Sequence, residues 1–335
     1  MIPQTTVKRQ LTHWQDALKQ VITDPKELLS RLNLPVEQAL NVYDLNFPCR
    51  VPLQFVELME KGNPHDPLLK QVLPTVQESL FDKNANIDPL QEKNMNPIPG
   101  LLHKYQGRIL LTLTKHCAIH CRYCFRRYFP YEKNQLSKDN WTKIMAYLHE
   151  HSEIYEVILS GGDPLSVPDR LLAKMIQEIE QVSHIQALRI HTRLGVVIPE
   201  RLCTELFRTL SETRLQLIIV FHCNHPNEIS KEFANRLVIL KQQLPFITLL
   251  NQAVLLKGVN DTLPTLTTLC QSLFKIGILP YYVHSLDPTP GSQHFKVNPD
   301  EAKVLQNDLL ATLPGYLVPR FVTETPYHPN KVPIF

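Results

Sequence analysis

From about residue 109 onward, the chain alternates nearly continuous apolar runs with stretches in which apolar residues recur at helical spacing. The runs predict strands over roughly 109–114, 156–160, 188–192, 215–222, 247–256 and 280–286. The stretches between them predict helices over roughly 137–151, 168–182, 199–210, 227–243, 263–276 and 299–311. Runs of Leu, Ile and Val without polar alternation are typical of parallel strands buried on both faces.

Six successive β/α units predict a parallel sheet, which is either doubly wound or curled into a partial barrel. The spacing of apolar residues does not distinguish a doubly wound sheet from a partial barrel. Active sites of α/β barrels are built from the loops that follow the strands. Polar or glycine-rich clusters directly follow five of the six predicted strands, at 117–124, 160–163, 191–193, 221–225 and 285–287. We therefore expect an α/β fold with a partial (β/α)6 barrel.

The first ~90 residues have a different, helical pattern that is interrupted by prolines. Asp24 and Pro25 precede leucines at helical spacing, which predicts the start of a helix. Residues 84–100 carry turn residues and almost no periodicity, which predicts a linker. We expect three parts, namely an N-terminal helical region with its linker over 1–95, the barrel over 96–315 and a C-terminal tail over 316–335.

The composition is that of an ordinary globular protein, since 43% of the 335 residues are hydrophobic and 20% are charged. The net charge of +3 is small and no basic block stands out, so neither nucleic acid nor a membrane is expected as a partner. Residues 1–8 lack the apolar core of a signal peptide. Seven cysteines, three of them clustered, indicate a reducing compartment, and we expect a cytoplasmic protein.

The clustered cysteines are Cys117, Cys121 and Cys124, which have C-x₃-C-x₂-C spacing just past an apolar run. Four thiolates would close an iron–sulfur or zinc site, whereas three leave one metal position open for chemistry. A substrate-binding iron–sulfur cluster is therefore one interpretation. The alternatives are a structural zinc site, with His116 or His120 as fourth ligand, and a chance grouping.

The motifs around these cysteines resemble radical S-adenosylmethionine enzymes and, more narrowly, the lysine 2,3-aminomutase family. The resemblance runs from about Asp66 to Lys331. Five stretches carry it: Cys-Ala-Ile-His-Cys-Arg-Tyr-Cys-Phe-Arg-Arg at 117–127, Leu-Ser-Gly-Gly-Asp-Pro-Leu at 159–165, Val-Val-Ile-Pro-Glu-Arg at 196–201, His-Pro-Asn-Glu-Ile at 225–229 and Asn-Gln-Ala-Val-Leu-Leu-Lys-Gly-Val-Asn-Asp at 251–261.

The resemblance implies that the three cysteines ligate a [4Fe–4S] cluster whose fourth iron binds S-adenosylmethionine. It further implies contacts to that molecule from Ser160, Gly161, Gly162, Asp163, His191, Arg193 and His222. Glycines allow close approach of the backbone, and Asp163 would supply a negative charge to the methionyl ammonium. The alternative is that Asp163 and Pro164 form a simple strand-to-helix cap.

The resemblance also implies pyridoxal 5′-phosphate, held covalently by Lys331 and contacted by Tyr105, Arg108 and Gln252. The approach Tyr-His-Pro-Asn at 327–330 departs from the glycine-rich approach of the full-length aminomutases. Without the resemblance, Lys331 would be read as an exposed surface residue and Arg108 as an edge arginine.

For the substrate, the resemblance implies that Arg126 pairs with the carboxylate of lysine, while Asp287 and Glu324 embrace its distal ammonium. The second acidic position is usually aspartate, so Glu324 reaches one methylene further. The expected reaction is L-α-lysine to β-lysine, and the likeness is to the short aminomutases that serve elongation factor P. A homo-oligomer is expected, with partners that include an electron donor such as flavodoxin or ferredoxin and a ligase that transfers β-lysine.

Three alternatives remain open from the sequence. One is an aminomutase that acts on another amino acid or serves lysine catabolism. Another is a radical S-adenosylmethionine enzyme that does not use pyridoxal phosphate. The third is a non-catalytic zinc or iron–sulfur binding module, which the residues at the barrel mouth argue against.

Overall fold

The computed structural model describes residues 14–39 and 47–334, so the expectation about a signal peptide lies outside the described residues. The helices are α1 Trp14–Lys19, α2 Pro25–Arg31, α3 Leu53–Val56, α4 Pro67–Lys70, α5 Lys138–Glu150, α6 Asp169–Glu180, α7 Leu194–Val197, α8 Thr204–Ser211, α9 Lys231–Gln243, α10 Leu263–Lys275 and α11 Pro299–Thr312. The strands are β1 Val21–Ile22, β2 Val51–Pro52, β3 Leu101–Tyr105, β4 Arg108–Thr114, β5 Glu156–Gly161, β6 Ala187–Thr192, β7 Gln216–His222, β8 Thr248–Val254, β9 Leu279–His284, β10 Arg320–Thr323 and β11 Val332–Pro333.

Local sequence explains where the helices begin. The carboxylate of Asp24 accepts a hydrogen bond from the Lys26 amide, and Pro25 occupies the first turn of α2. Ser137 caps α5 in the same way, since its hydroxyl accepts from the Asn140 amide at 3.1 Å. These caps satisfy backbone donors that lack a partner in the first helical turn.

The large sheet has the strand order β11-β10-β9-β8-β7-β6-β5-β4-β3. Strands β4 to β10 pair in parallel and follow one another in chain order. A doubly wound sheet reverses its strand order at a switch point, whereas a barrel adds each strand on the same side. Among the described residues no pairing joins β3 to β11. The prediction of a partial β/α barrel is therefore confirmed.

All six predicted strands and the six helices between them are present, with ends that shift by a few residues. The region after residue 198 is divided, since a short 3₁₀ turn at Pro199–Arg201 precedes α8. Strands β1, β2, β3, β10 and β11 were not predicted. Their runs are two to five residues long, which is too short for a period to stand out.

The C-terminal stretch predicted as a tail is part of the sheet. Strand β10 pairs in parallel with β9, and β11 returns antiparallel to β10. Its residue pairs include Thr323 with Val332. The boundary of this tail at residue 316 stays a prediction, and main-chain pairing fixes the segment that carries Lys331.

The N-terminal helices pack against the barrel. Buried side chains such as Leu28, Phe55 and Leu69 belong to the same hydrophobic cluster as Leu159 and Phe221 of the barrel. The boundary at residue 95 stays a prediction, but buried apolar contacts cross it. In the described residues, no helix has the length and apolar character that a bilayer crossing requires.

Candidate active site

The three clustered cysteines lie in the loop between β4 and α5. The N-terminal region holds this loop, because Arg50 donates from Nε to the carbonyl of Cys117 at 3.0 Å and accepts from the His120 amide at 3.0 Å. Burial raises the pKa of Cys117, and so do Asp163 and the other two thiols. Burial and Cys121 raise the pKa of Cys124 to about 11. Thiolates at these positions therefore need cationic partners.

The donor set fits an iron–sulfur cluster. Each iron of a [4Fe–4S] cluster takes one cysteine thiolate, and Cys121 and Cys124 both lie close enough to Cys117 for their charges to raise its pKa. Within residues 14–39 and 47–334, no three His, Cys, Asp or Glu side chains are gathered closely enough to hold one ion. The ring Nδ1 of His120 bonds to the carbonyl of Pro48 at 2.8 Å, and its ring stacks on Phe47. His116 is exposed.

The glycine pair after β5 lets a second loop reach the cysteine loop. The amide of Gly162 donates to the Thr114 carbonyl at 2.6 Å, and that of Asp163 donates to the His116 carbonyl at 2.8 Å. A Cβ on Gly162 would lie 2.5 Å from the carbonyl oxygen of His116. Glycine is therefore required by close packing of the two loops.

The Asp163 carboxylate joins the ends of β5 and β6. It accepts from the Thr192 hydroxyl at 2.8 Å and from the amides of Arg193 at 2.7 Å and Leu194 at 2.8 Å. It also caps the turn that follows, through the Leu165 amide at 3.0 Å. Burial nevertheless raises its pKa above the usual value. The capping alternative is thus realised, and a contact with the methionyl ammonium stays a prediction.

Arg193 connects the cysteine loop to a buried polar network. Its Nη1 lies 2.8 Å from the sulfur of Cys121. Its Nη2 donates to Gln71 at 2.8 Å and to Glu228 at 3.0 Å. The hydroxyl of Tyr123 bonds to Nη1 of Arg193, and it also lies 2.8 Å from Nε2 of His222. Burial and Arg193 hold the pKa of His222 well below its usual value, so the imidazole is neutral.

His191 offers an unused polar atom inside the barrel. Its Nε2 is buried, and no group in the described part of the chain bonds to it. Burial, with the positive charges of Arg189, Lys331 and Arg126, lowers the pKa of His191 well below its usual value. A neutral ring with a buried nitrogen and no partner fits a site that receives a polar cofactor or substrate.

A second group of charged residues is joined by a continuous series of ion pairs, which we call the ion-pair network. It consists of Arg126, Glu92, Lys104, Glu324 and Lys331. Arg126 Nε and Nη2 bond to Glu92 at 3.0 and 2.8 Å. Lys104 Nζ lies 2.9 Å from both Glu92 and Glu324. Lys331 Nζ lies 2.7 Å from the other oxygen of Glu324. Burial favours a higher pKa for Glu324, but its two lysines outweigh burial and hold the pKa well below the usual value.

Asp287 lies near the ion-pair network, where Lys331 and Lys104 act to lower its pKa without contacting it directly. In the described ranges its carboxylate makes no hydrogen bond or ion pair. Burial and the neighbouring charge of Glu324 raise its pKa to about 7. A ligand ammonium could therefore make the direct ion pair that Asp287 lacks among the described residues.

The three residues expected to contact pyridoxal phosphate lie at two places in the sheet. Tyr105 and Arg108 pair across the β3–β4 turn, with the guanidinium carbon 4.4 Å from the centre of the tyrosine ring. Burial and the charge of Glu324 raise the pKa of Tyr105, because this tyrosine lies beside the ion-pair network. Gln252 on β8 pairs with Tyr282, whose ring centre is 5.8 Å from Lys331 Nζ.

Five residues of the site were missed from the sequence: Glu92, Lys104, Gln71, Tyr123 and Glu228. Glu228 lies inside a quoted motif, and Lys104 is a charged residue beside Tyr105, so both had a signal. Glu92 lies in the predicted linker, yet only 2% of it is exposed. The linker prediction itself is untested, but turn-rich composition gave no signal that Glu92 packs between Lys104 and Arg126.

A match to a known protein family identifies the class of this protein. Residues 111–255 match the model of the radical SAM superfamily. Together with the partial barrel and the three-cysteine loop, this match makes the protein a radical S-adenosylmethionine enzyme.

Full-length relatives narrow the class. L-lysine 2,3-aminomutase of Haemophilus influenzae is 47% identical over 99% of this chain and 98% of that protein. L-lysine 2,3-aminomutase of Escherichia coli is 44% identical over 96% of this chain and 94% of that protein. That of Clostridium subterminale is 32% identical over 96% of this chain and 77% of that protein. The chain belongs to the lysine 2,3-aminomutase family and is an isomerase. Membership implies a [4Fe–4S] cluster, S-adenosylmethionine and pyridoxal phosphate as cofactors.

Proposed function

We propose that this protein converts L-α-lysine to β-lysine by moving the amino group from C2 to C3. The observation that carries the proposal is the Asp287 carboxylate, which makes no direct ion pair with the described residues and lies close enough to Glu324 for that charge to raise its pKa. Relatives that are 43–47% identical over nearly the whole chain bear the name L-lysine 2,3-aminomutase. A cationic amino acid is the substrate class that such an acidic pair accepts.

Recognition then uses opposite charges at two places. The planar guanidinium of Arg126 suits a carboxylate, which it can bind through two N–H groups. Asp287 and Glu324 together attract the distal ammonium. As a substrate, glutamate would place its side-chain carboxylate against these two acidic residues and be repelled. A substrate with a neutral side chain would leave Asp287 without a direct ion pair.

The remaining residues hold the reacting partners. When bound, the cluster with S-adenosylmethionine supplies a carbon radical, and pyridoxal phosphate supplies a carrier for the migrating nitrogen. Cys117, Cys121 and Cys124 would hold the irons. Lys331 would bind the carrier covalently, and its place opposite Glu324 keeps the amine close to the substrate's ammonium site. His191 would donate or accept a hydrogen bond through its unused Nε2.

The destination of the product belongs to the same proposal. We infer that β-lysine passes to a ligase that attaches it to elongation factor P, in the cytoplasm, and that flavodoxin or ferredoxin supplies the electron. In support of the short type, this chain covers 98% of the Haemophilus protein and 94% of the Escherichia protein but 77% of the Clostridium protein. Mass spectrometry of elongation factor P from cells with and without this gene tests the step.

The direct test is anaerobic. The protein is reconstituted with iron and sulfide, and then supplied with pyridoxal phosphate, S-adenosylmethionine, dithionite and lysine. We expect β-lysine without matching consumption of S-adenosylmethionine. Accumulation of 5′-deoxyadenosine without β-lysine would point to another amino acid, which a substrate panel would identify. Protein that forms no pyridoxal absorbance, or that carries one zinc and no iron, would overturn the proposal.

A further inference from the structure

Glu92 is a buried carboxylate in a stretch without regular strand or helix pairing. Its position is fixed locally, because the Asp88 carboxylate accepts from the Glu92 amide at 2.9 Å, and Glu92 is the first residue of the short 3₁₀ turn Glu92–Met95. The preceding residue, Gln91, has a φ of 50°, which is the left-handed region that non-glycine residues rarely adopt. Backbone in such a conformation is retained where surrounding contacts require it.

Glu92 occupies one side of the Arg126 guanidinium. Of the five N–H groups of an arginine side chain, Nε and one on Nη2 go to Glu92, and one on Nη1 goes to the Ser160 hydroxyl at 3.2 Å. The ring of Phe125 lies 4.9 Å from the guanidinium carbon. Among the described residues, one N–H on each terminal nitrogen is therefore left without a partner, and a two-point contact with a carboxylate requires two such groups.

Glu92 also separates two cations. Its Oε1 accepts from Arg126 Nη2 at 2.8 Å and lies 2.9 Å from Lys104 Nζ. Burial would raise the pKa of Glu92, but the two cations outweigh burial and lower it. Without this negative charge, Arg126 and Lys104 would repel each other, and Lys104 would rely on Glu324 alone.

We propose that Glu92 is a positioning residue for substrate recognition, which turns the free N–H pair of Arg126 toward the substrate carboxylate and keeps Lys104 from neutralising Glu324 completely. The inference rests on the proposed function, in which Arg126 binds the carboxylate of lysine. It assigns a role in specificity to the segment between the N-terminal helices and the barrel.

The test compares two ligands that share one ammonium group and differ in a carboxylate. 6-Aminohexanoate has both groups, whereas pentylamine has only the ammonium, and neither has the α-amino group of lysine. Their inhibition constants against lysine give a ratio that reports the carboxylate contact. We expect the preference for 6-aminohexanoate to fall about tenfold in Glu92→Gln, the size of one charge-assisted hydrogen bond. A ratio equal to that of the unmodified enzyme would overturn the inference.

Two further variants separate positioning from folding. Glu92→Asp keeps the charge between the two cations but withdraws it by one methylene, so it should fold and show a smaller fall in the ratio. An unchanged ratio in a folded Glu92→Asp protein also counts against the inference, even where Glu92→Gln fails to fold. Glu156→Gln is the matched control, since Glu156 is buried and pairs with Arg189 at the start of β5. It should lower stability and leave the ratio unchanged.

A double-mutant cycle shows whether Glu92 acts through Arg126. In the Arg126→Gln background, Glu92→Gln should cause no further fall in the ratio, whereas independent effects would add. Failure of the proposed function gives a different result. An unmodified enzyme that makes no β-lysine and does not distinguish the two ligands would remove both proposals, while normal turnover with an unaltered ratio in the variants removes only the role of Glu92.

Discussion

The ammonium of Lys331 lies 2.7 Å from the carboxylate of Glu324, across the turn that joins β10 to β11. Strand pairing explains this contact, because Thr323 pairs with Val332 and the next residues in the same register are Glu324 and Lys331. The turn between them includes Tyr327, whose φ of 62° is left-handed. The approach to Lys331 therefore does not depend on glycine, and the lysine amine lies within the group of charges proposed to bind substrate.

The Lys331 contact leads to a spectroscopic prediction. Lys331→Ala removes the amine that would react with pyridoxal phosphate, so the visible absorbance that the unmodified protein gains on mixing with this cofactor should disappear. Lys143→Ala on the exposed face of α5 is the control and should keep the absorbance. A spectrum that Lys331→Ala leaves unchanged would assign the covalent link to another amine.

Asp287 leads to a prediction about stability. Its pKa is raised to about 7, so in the folded protein the group ionises at an energetic cost that the unfolded chain does not have. This cost is absent below the ordinary aspartate pKa of about 4, grows with pH and is complete above about 7. Asp287→Asn should therefore stabilise the ligand-free protein by on the order of 2 kcal/mol at pH 8 and much less near pH 4.5.

Thermal melts at the two pH values measure this effect. Asp308→Asn, on the exposed side of α11, is the matched control and should shift the melting temperature little at either pH. Equal shifts of the Asp287→Asn protein at both pH values would show that the carboxylate is already compensated in the folded state.

Binding should follow the opposite trend with pH. An ammonium ligand needs Asp287 ionised, so affinity for 6-aminohexanoate should be highest above about pH 7 and weaken by up to about tenfold per pH unit below it. Glu324 stays ionised in this window, because its lysines hold its pKa low. Calorimetric titration at pH values between about 5.5 and 8 measures the trend. This range extends about one to two units to either side of the Asp287 pKa. Asp287→Asn should bind weakly at every pH.

The cysteine loop leads to a prediction about metal content. Cys121→Ala removes one thiol of the proposed cluster. The iron and sulfide bound after anaerobic reconstitution should therefore fall to a small fraction of the content of the unmodified protein. Cys270→Ala is the control, because Cys270 is buried among the apolar residues of α10, and iron binding should persist. Full iron content in the Cys121 variant would show that this thiol is not a ligand.

Gly162 leads to a prediction about packing. In Gly162→Ala the new Cβ would lie 2.5 Å from the carbonyl oxygen of His116, and backbone cannot yield as a flexible side chain does. We expect a loss of about 1–3 kcal/mol in the free energy of unfolding and weaker iron binding. Gly315→Ala meets no atom within 4 Å and should leave both unchanged. Chemical denaturation and iron analysis measure the two effects.

Features that depend on neighbouring residues were predictable from the chain alone. The strands near 109–114 and 156–160 are recognisable because side chains buried on both faces must be apolar without interruption. The loop of Cys117, Cys121 and Cys124 is recognisable because its three thiols lie within eight consecutive residues. The caps of α2 and α5 follow from single side chains that satisfy amides two or three residues on.

Features that depend on distant residues required the folded chain. The choice between a doubly wound sheet and a barrel lies in which strands pair, and both arrangements need the same apolar runs. Glu92 meets Arg126 34 positions later in the chain, and Lys104 meets Glu324 after 220 positions. Charges that neutralise one another across the barrel need only be of opposite sign and within reach, so no period or spacing along the chain marks them in advance.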